Sequence, residues 1–168
     1  MANYDILTFL EYYADKSSVL NGSGKRSPTS AYQNFYQSAQ NLTADSAIDQ
    51  SFNFKYLAFD ASGFASAEAA SISDLTINLA ATASIIDLTD TAIGGDRLVI
   101  ASLYIQSIGQ ESFSNSASLV CRFTGTIDNA SVNDTTVTWT VSPAISKQKA
   151  QVPSRRISSD LMGRFVAT

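Results

Sequence analysis

The chain has 168 residues, 45 % of them apolar and only 15 % charged, with a net charge of −4. That length suits a single domain, and the charge lies well below the ~25 % of an average globular protein, while the apolar content is too high for a disordered one. An acidic chain lacks the basic surface that reads nucleic acid, and with no histidine and one cysteine, Cys121, it can form neither an internal disulfide nor a Cys/His zinc site.

Residues Tyr4 to Lys16 fit two elements. Ile6, Leu7, Leu10 and Tyr13 fall on one side at helical spacing, whereas Thr8 and Phe9 favour a strand; the balance tips to a helix. Asn21 to Pro28 (Asn-Gly-Ser-Gly-Lys-Arg-Ser-Pro) is expected to be an exposed loop that displays Lys25 and Arg26. Ala31 to Gln50 stays open between a helix and an arm docked on a neighbour, its aromatics including Tyr32 and Tyr36. From Phe52 the period becomes two: Phe52, Phe54 and Tyr56 predict a half-buried strand, and Asp60-Ala61-Ser62-Gly63 predicts a turn.

Ala70 to Leu79 reads as a strand with Leu75, Ile77 and Leu79 on one face and a bulge or turn near Ser73-Asp74. Ser84 to Thr91 predicts a short amphipathic helix, ended by Gly94-Gly95. The apolar run Arg97 to Ser107 predicts a central strand. Ala117 to Ile127 and Ser131 to Val141 predict a hairpin reversing at Asp128-Asn129-Ala130, with Cys121 buried in its own apolar run. The last stretch, with Pro153, Lys147, Lys149, Arg155, Arg156 and Arg164, predicts an extended arm. The fold class expected is mostly β (a β-rich α+β chain): a small β-sandwich or partly open barrel with one or two short helices and extended terminal arms. The divisions expected are an N-terminal helix or loop arm at 1–51, a β-domain at 52–145 and a C-terminal arm at 146–168.

Chemistry is sparsely represented. Without histidine no Ser-His-Asp set forms, and no Gly-Xaa-Ser-Xaa-Gly elbow occurs. Asp87-Leu88-Thr89-Asp90 lacks the alternating oxygen ligands and glycine of a calcium loop and is better read as helix capping. Gly22-Ser23-Gly24-Lys25 lacks the upstream glycine and preceding strand of a phosphate loop. No enzymatic activity, cofactor or metal is expected. No apolar run approaches the ~20 residues that span a bilayer and no leader is visible, so neither membrane insertion nor secretion is expected. The adjacent guanidinium groups of Arg155 and Arg156 suit bidentate pairing with carboxylates of a partner.

One ordered series is more specific than its parts. It runs from Tyr56-Leu57-Ala58-Phe59-Asp60 through Ala70–Leu79, Ile85–Asp90, Gly94-Gly95-Asp96-Arg97 and Leu98–Ile105. It continues with Cys121-Arg122-Phe123-Thr124-Gly125-Thr126-Ile127 and Val137 to Pro143, and ends in Gln151-Val152-Pro153-Ser154-Arg155-Arg156-Ile157. This order resembles the minor tail and tail-tip hub (baseplate) proteins of tailed bacteriophages over roughly residues 52 to 160, leaving the first fifty residues unmatched. The resemblance implies a structural subunit of the virion tail, made in the host cytoplasm. It would join tail tube to hub, spike or fibres and bound the DNA channel, as a trimer or hexamer among other tail and baseplate proteins. It implies that the C-terminal segment grips a neighbour, so that Lys25, Arg26, Pro153, Arg155, Arg156 and Arg164 are the interface candidates. Some relatives carry a cysteine cluster for an iron–sulfur centre; with Cys121 alone, that cofactor is not expected. The alternative is a carbohydrate- or receptor-binding β module at a phage or cell surface, using exposed aromatics among Tyr32, Tyr36, Tyr104 and Trp139.

Overall fold

A computed structural model describes residues 4–15, 17, 19–35, 40, 41, 48, 53–64, 74–92, 97–107 and 117–143. The elements are β1 (Tyr4–Tyr13), β2 (Ser30–Gln33), β3 (Gln40–Asn41), β4 (Asn53–Tyr56), β5 (Phe59–Ser62), β6 (Leu75–Ala80), α1 (Ala83–Ala92), β7 (Leu98–Ser107), β8 (Ser118–Val132) and β9 (Thr136–Pro143). The protein is mostly β, as its composition and alternation predict. The strands form one sheet in the order β3-β4-β2-β1-β7-β8-β9-β6-β5, not two stacked ones. Its ladder does not close into a barrel, but the chain joins its two flanks: β4 leads into β5 through only Leu57 and Ala58. The Leu57 N–H donates to the Gln33 carbonyl on one flank, and the Ala58 carbonyl accepts from the Ala80 N–H on the other, both at 2.9 Å.

The segment Tyr4–Tyr13 is a strand, not a helix. Leu7 through Tyr13 are all buried because both faces of β1 are covered. Leu10 and Tyr12 enter one apolar cluster with Trp139, Ile77, Val99 and Ile127, while Leu7 and Phe9 enter another with Ala31, Ile48, Phe54 and Tyr104. A strand buried on both faces loses its alternation and leaves helical spacing as an accident of a continuous apolar run. β1 pairs along its whole length with β7, from Tyr4↔Ser107 to Tyr13↔Leu98, and with β2 on its other side. Within the segment expected as an N-terminal arm, β1 and β2 lie inside the sheet. The second cluster is built on Phe9, whose ring meets Phe54 at 5.4 Å and Tyr104 at 5.5 Å, both edge to face.

β7 is the central strand expected, fifth of nine in the sheet. β8 and β9 form the expected hairpin, but its reversal lies at Asn133–Thr136, closed by the Asn133 N–H to the Thr136 carbonyl at 2.9 Å. Asp128 instead occupies a register shift, between the pairs Ile127↔Val141 and Asn129↔Thr140. A bulge and a turn draw on the same residue types, which is why Asp-Asn read as the turn. Gly125 is required where the hairpin strands close up, since a Cβ there would run into the Ser142 carbonyl oxygen and approach Val141 Cγ1 to 2.9 Å. Asp60-Ala61-Ser62 belongs to β5, and the turn falls one residue later at Gly63, whose φ of 98° favours glycine. The expected features at Phe52, Ala70–Ser73, Gly94-Gly95, Tyr36 and 146–168 lie outside the described residues.

The expected helix is α1. The Thr82 hydroxyl receives the Ile85 N–H at 3.4 Å, so Thr82 acts as the N-cap, and Asp87 and Asp90 lie exposed in the helix body. Acidic capping by that tetrapeptide is thus corrected. Ile85 and Thr89 face the core. The Thr89 hydroxyl donates to the Ile85 carbonyl at 2.7 Å and accepts the Trp139 indole N–H at 2.9 Å. Arg97 ties the far end of α1 to β1 by donating to the Thr91 carbonyl at 3.3 Å and to the Ala14 carbonyl.

Thr89→Val keeps the side-chain shape but leaves the Trp139 N–H buried without its acceptor. The expected loss is about 1–3 kcal/mol of unfolding free energy by denaturant titration, with an unchanged far-UV spectrum.

Candidate functional site

The two basic residues of the Asn21–Pro28 loop have different fates. The loop is shaped by the Asn21 side-chain oxygen, which accepts the N–H groups of Ser23 and Lys25 at 3.0 Å, and by Gly24 at a φ of 71°. Lys25 is half-buried at its edge. Arg26 turns inward: its Nε meets Glu11 Oε2 at 3.0 Å and its Nη2 meets Oε1 at 3.2 Å. Glu11 is fully buried on β1 and also accepts the Tyr13 hydroxyl at 2.5 Å. Arg26 thus serves the fold, since a buried carboxylate must be paired and hydrogen-bonded. Burial, with the Glu11 charge adding to it, pushes the Tyr13 phenol far above its ordinary range. Because folding raises this pKa, the stability it contributes is complete below about pH 10 and is lost as the pH rises further. Pro153, Arg155, Arg156 and Arg164 lie outside the described residues.

The first surface of functional interest is the end of the sheet where β1 begins, β7 ends and β8 begins. Ile6 stands opposite Ile105, and Leu119 opposite Tyr104. Tyr4 is 55 % exposed, Ile6 64 %, Leu119 45 % and Val120 54 %. β9 covers β8 only from Gly125 to Val132, so among the described residues Ser118–Thr124 pairs on one side alone, with β7. Val120 falls in a register shift, between Leu103↔Cys121 and Tyr104↔Leu119. This corrects the expectation for Cys121, which is partly exposed in a mostly exposed run. Burial still pushes its thiol up, opposite to what a nucleophile needs. Natural edge strands are blunted with charge, proline or brevity, whereas Leu119-Val120-Cys121 shows none of these.

The second feature is a cleft of about 510 Å³ between α1 and strands β1, β2 and β4. The pairings Tyr12↔Ser30 and Tyr32↔Lys55 bring these four residues to one face of the sheet, opposite Ser84, Asp87, Leu88 and Thr91 of α1, with Arg97 closing one side. Of the aromatics read from sequence as groove candidates, Tyr32 lines this cleft, while Tyr104 and Trp139 are buried. Tyr12 and Lys55 gave no signal of their own in sequence; strand register alone assembles them. Among the described residues no group of three or more His, Cys, Asp or Glu is placed to hold a metal ion, and no helix is long and apolar enough to cross a membrane.

A scan against protein-family models and a search of the curated proteins found no match for this chain.

Arg26→Met strips Glu11 of its buried partner, with an expected loss of about 3–5 kcal/mol in unfolding free energy by denaturant titration. The double variant Glu11→Leu/Arg26→Met is expected to lose less than Arg26→Met alone.

Proposed function

We propose that this protein is a non-catalytic structural subunit that works through protein–protein interfaces, in the tail tip or baseplate of a tailed bacteriophage. The observation that supports assembly most is the exposed apolar end of the sheet at Tyr4, Ile6, Leu119 and Val120. By register Ile6 shares a face with Ile105 and Leu119 the opposite face with Tyr104, so a partner gripping this end of the sheet from both sides would cover these exposed apolar side chains. Obligate interfaces are more apolar than ordinary surface, which also suits a chain with only 15 % charged residues.

Charge is unevenly placed along the sequence. Five of the 11 Lys and Arg residues fall in 144–168 beside one of the 15 acidic residues. The rest of the chain is strongly acidic, so this basic stretch, with Arg155 and Arg156, is complementary to the body of a neighbouring copy. The assignment to a phage tail rests on the ordered motif series from Tyr56 to Ile157. In that setting a mildly negative channel wall lets DNA pass without sticking.

Leu119→Ser/Val120→Thr alters two exposed side chains, where substitutions usually change stability by about 0.5 kcal/mol or less. Sedimentation equilibrium is expected to show a trimer or hexamer for the parent chain and a monomer for the variant. A monomeric parent, or an oligomer indifferent to the change, would count against assembly through this surface.

A further inference from the structure

The Asn21–Pro28 loop holds the one Asn-Gly pair in the chain, Asn21-Gly22. Glycine there is not a demand of the backbone. Unlike Gly24, Gly22 lies outside the left-handed region, and a Cβ added to it would meet nothing within 4 Å. What its missing side chain leaves is an unhindered peptide nitrogen beside a side-chain amide, in a turn where Gly22 is exposed and Asn21 half-buried. That amide is also polarised. Asn21 Oδ1 accepts the N–H groups of Ser23 and Lys25, each at 3.0 Å. Two backbone donors on one carbonyl oxygen stabilise the oxyanion that forms when a nucleophile adds to the carbon beneath it.

We propose that Asn21 is a self-modification site, at which the folded protein converts its asparagine to aspartate and isoaspartate. The Gly22 nitrogen gives its proton to solvent and bonds to Asn21 Cγ. The Cγ–Nδ2 bond then breaks, and ammonia leaves with a proton taken from water, which closes a succinimide. Water opens the ring at either carbonyl. One opening leaves aspartate in an unchanged backbone, and the other leaves isoaspartate, with Cβ inserted into the main chain. Aspartate keeps an acceptor for the Ser23 and Lys25 N–H groups. Isoaspartate instead lengthens a segment closed by the Asn21 N–H to the Lys25 carbonyl at 2.7 Å and the Gly24 N–H to the Asn21 carbonyl at 2.9 Å. Arg26 follows directly, bridged to Leu20 across the loop and anchored on Glu11. Isoaspartate at this position therefore loosens the latch on the buried carboxylate. The proposal stands independently of how the chain assembles.

Peptide mapping by mass spectrometry of the folded full chain, held in mildly alkaline buffer, tests it. The same chain unfolded in urea is the comparison, and enzymatic methylation of isoaspartate tells the two products apart. Conversion at Asn21 is expected at a rate no lower than in urea. In Gly22→Ala it is expected to be about tenfold slower, since a side chain hinders the attacking nitrogen. The isoaspartate fraction is expected to melt at a lower temperature than both the parent and Asn21→Asp. Thermal melts verify that Gly22→Ala stays folded; should it not, the comparison with urea decides. An intact Asn21 in the folded chain, conversion slower than in urea, a folded Gly22→Ala converting as fast as the parent, or an isoaspartate fraction that melts with Asn21→Asp would each overturn the proposal.

Discussion

The indole of Trp139 is sealed in the core, and an N–H in that position must find an acceptor. The acceptor is the Thr89 hydroxyl, itself oriented by donating to the Ile85 carbonyl one helical turn back. This chain of two bonds fixes the rotation of α1 over the sheet. Ile85 then faces the core, while Ser84, Asp87 and Thr91 are left on the side that meets β1, β2 and β4 across a gap. The cleft is thus a consequence of how one buried tryptophan is satisfied. Arg97 secures the other end of the helix by binding carbonyls of both α1 and the segment after β1.

The second constraint is that β1 is covered on both faces. One face builds the cluster that α1 closes, and the other builds the Phe9-centred cluster and carries the buried Glu11. That carboxylate draws Arg26 inward and so holds the β1–β2 loop against the sheet. The arrangement is costly in isolation but stable as a set, because each buried polar atom in it has a partner. Coverage fails at the start of β1 and of β8. There the sheet continues beyond its own core and exposes Ile6, Leu119 and Val120. The proposed interface falls on these exposed apolar side chains.

Much of the fold was legible in the sequence wherever burial is one-sided. β6 alternates strictly, with Leu75, Ile77 and Leu79 buried, and α1, β7 and the β8–β9 hairpin follow from period and length. β1 was not legible, because two-sided burial erases the alternation that separates strand from helix. The exact reversal of the hairpin was missed because Asp128-Asn129 serves a bulge as readily as a turn. Arg26 read as a loop charge because its partner lies 15 residues away, with no pattern linking them. The cleft was half visible: Tyr32 was a candidate for a groove, but Tyr12 and Lys55 join it only through strand register. The exposed run at Leu119-Val120 misled in the opposite sense, since apolar residues on an exposed strand look like core in the sequence.

The central claim is that the chain is a fixed component of a larger particle. Quantitative mass spectrometry of intact tails purified from its source, counting this chain against the tube protein, tests it most directly. The account predicts a constant ratio equivalent to three or six copies per tail. Absence from the particle, or a ratio that varies between preparations, would contradict it.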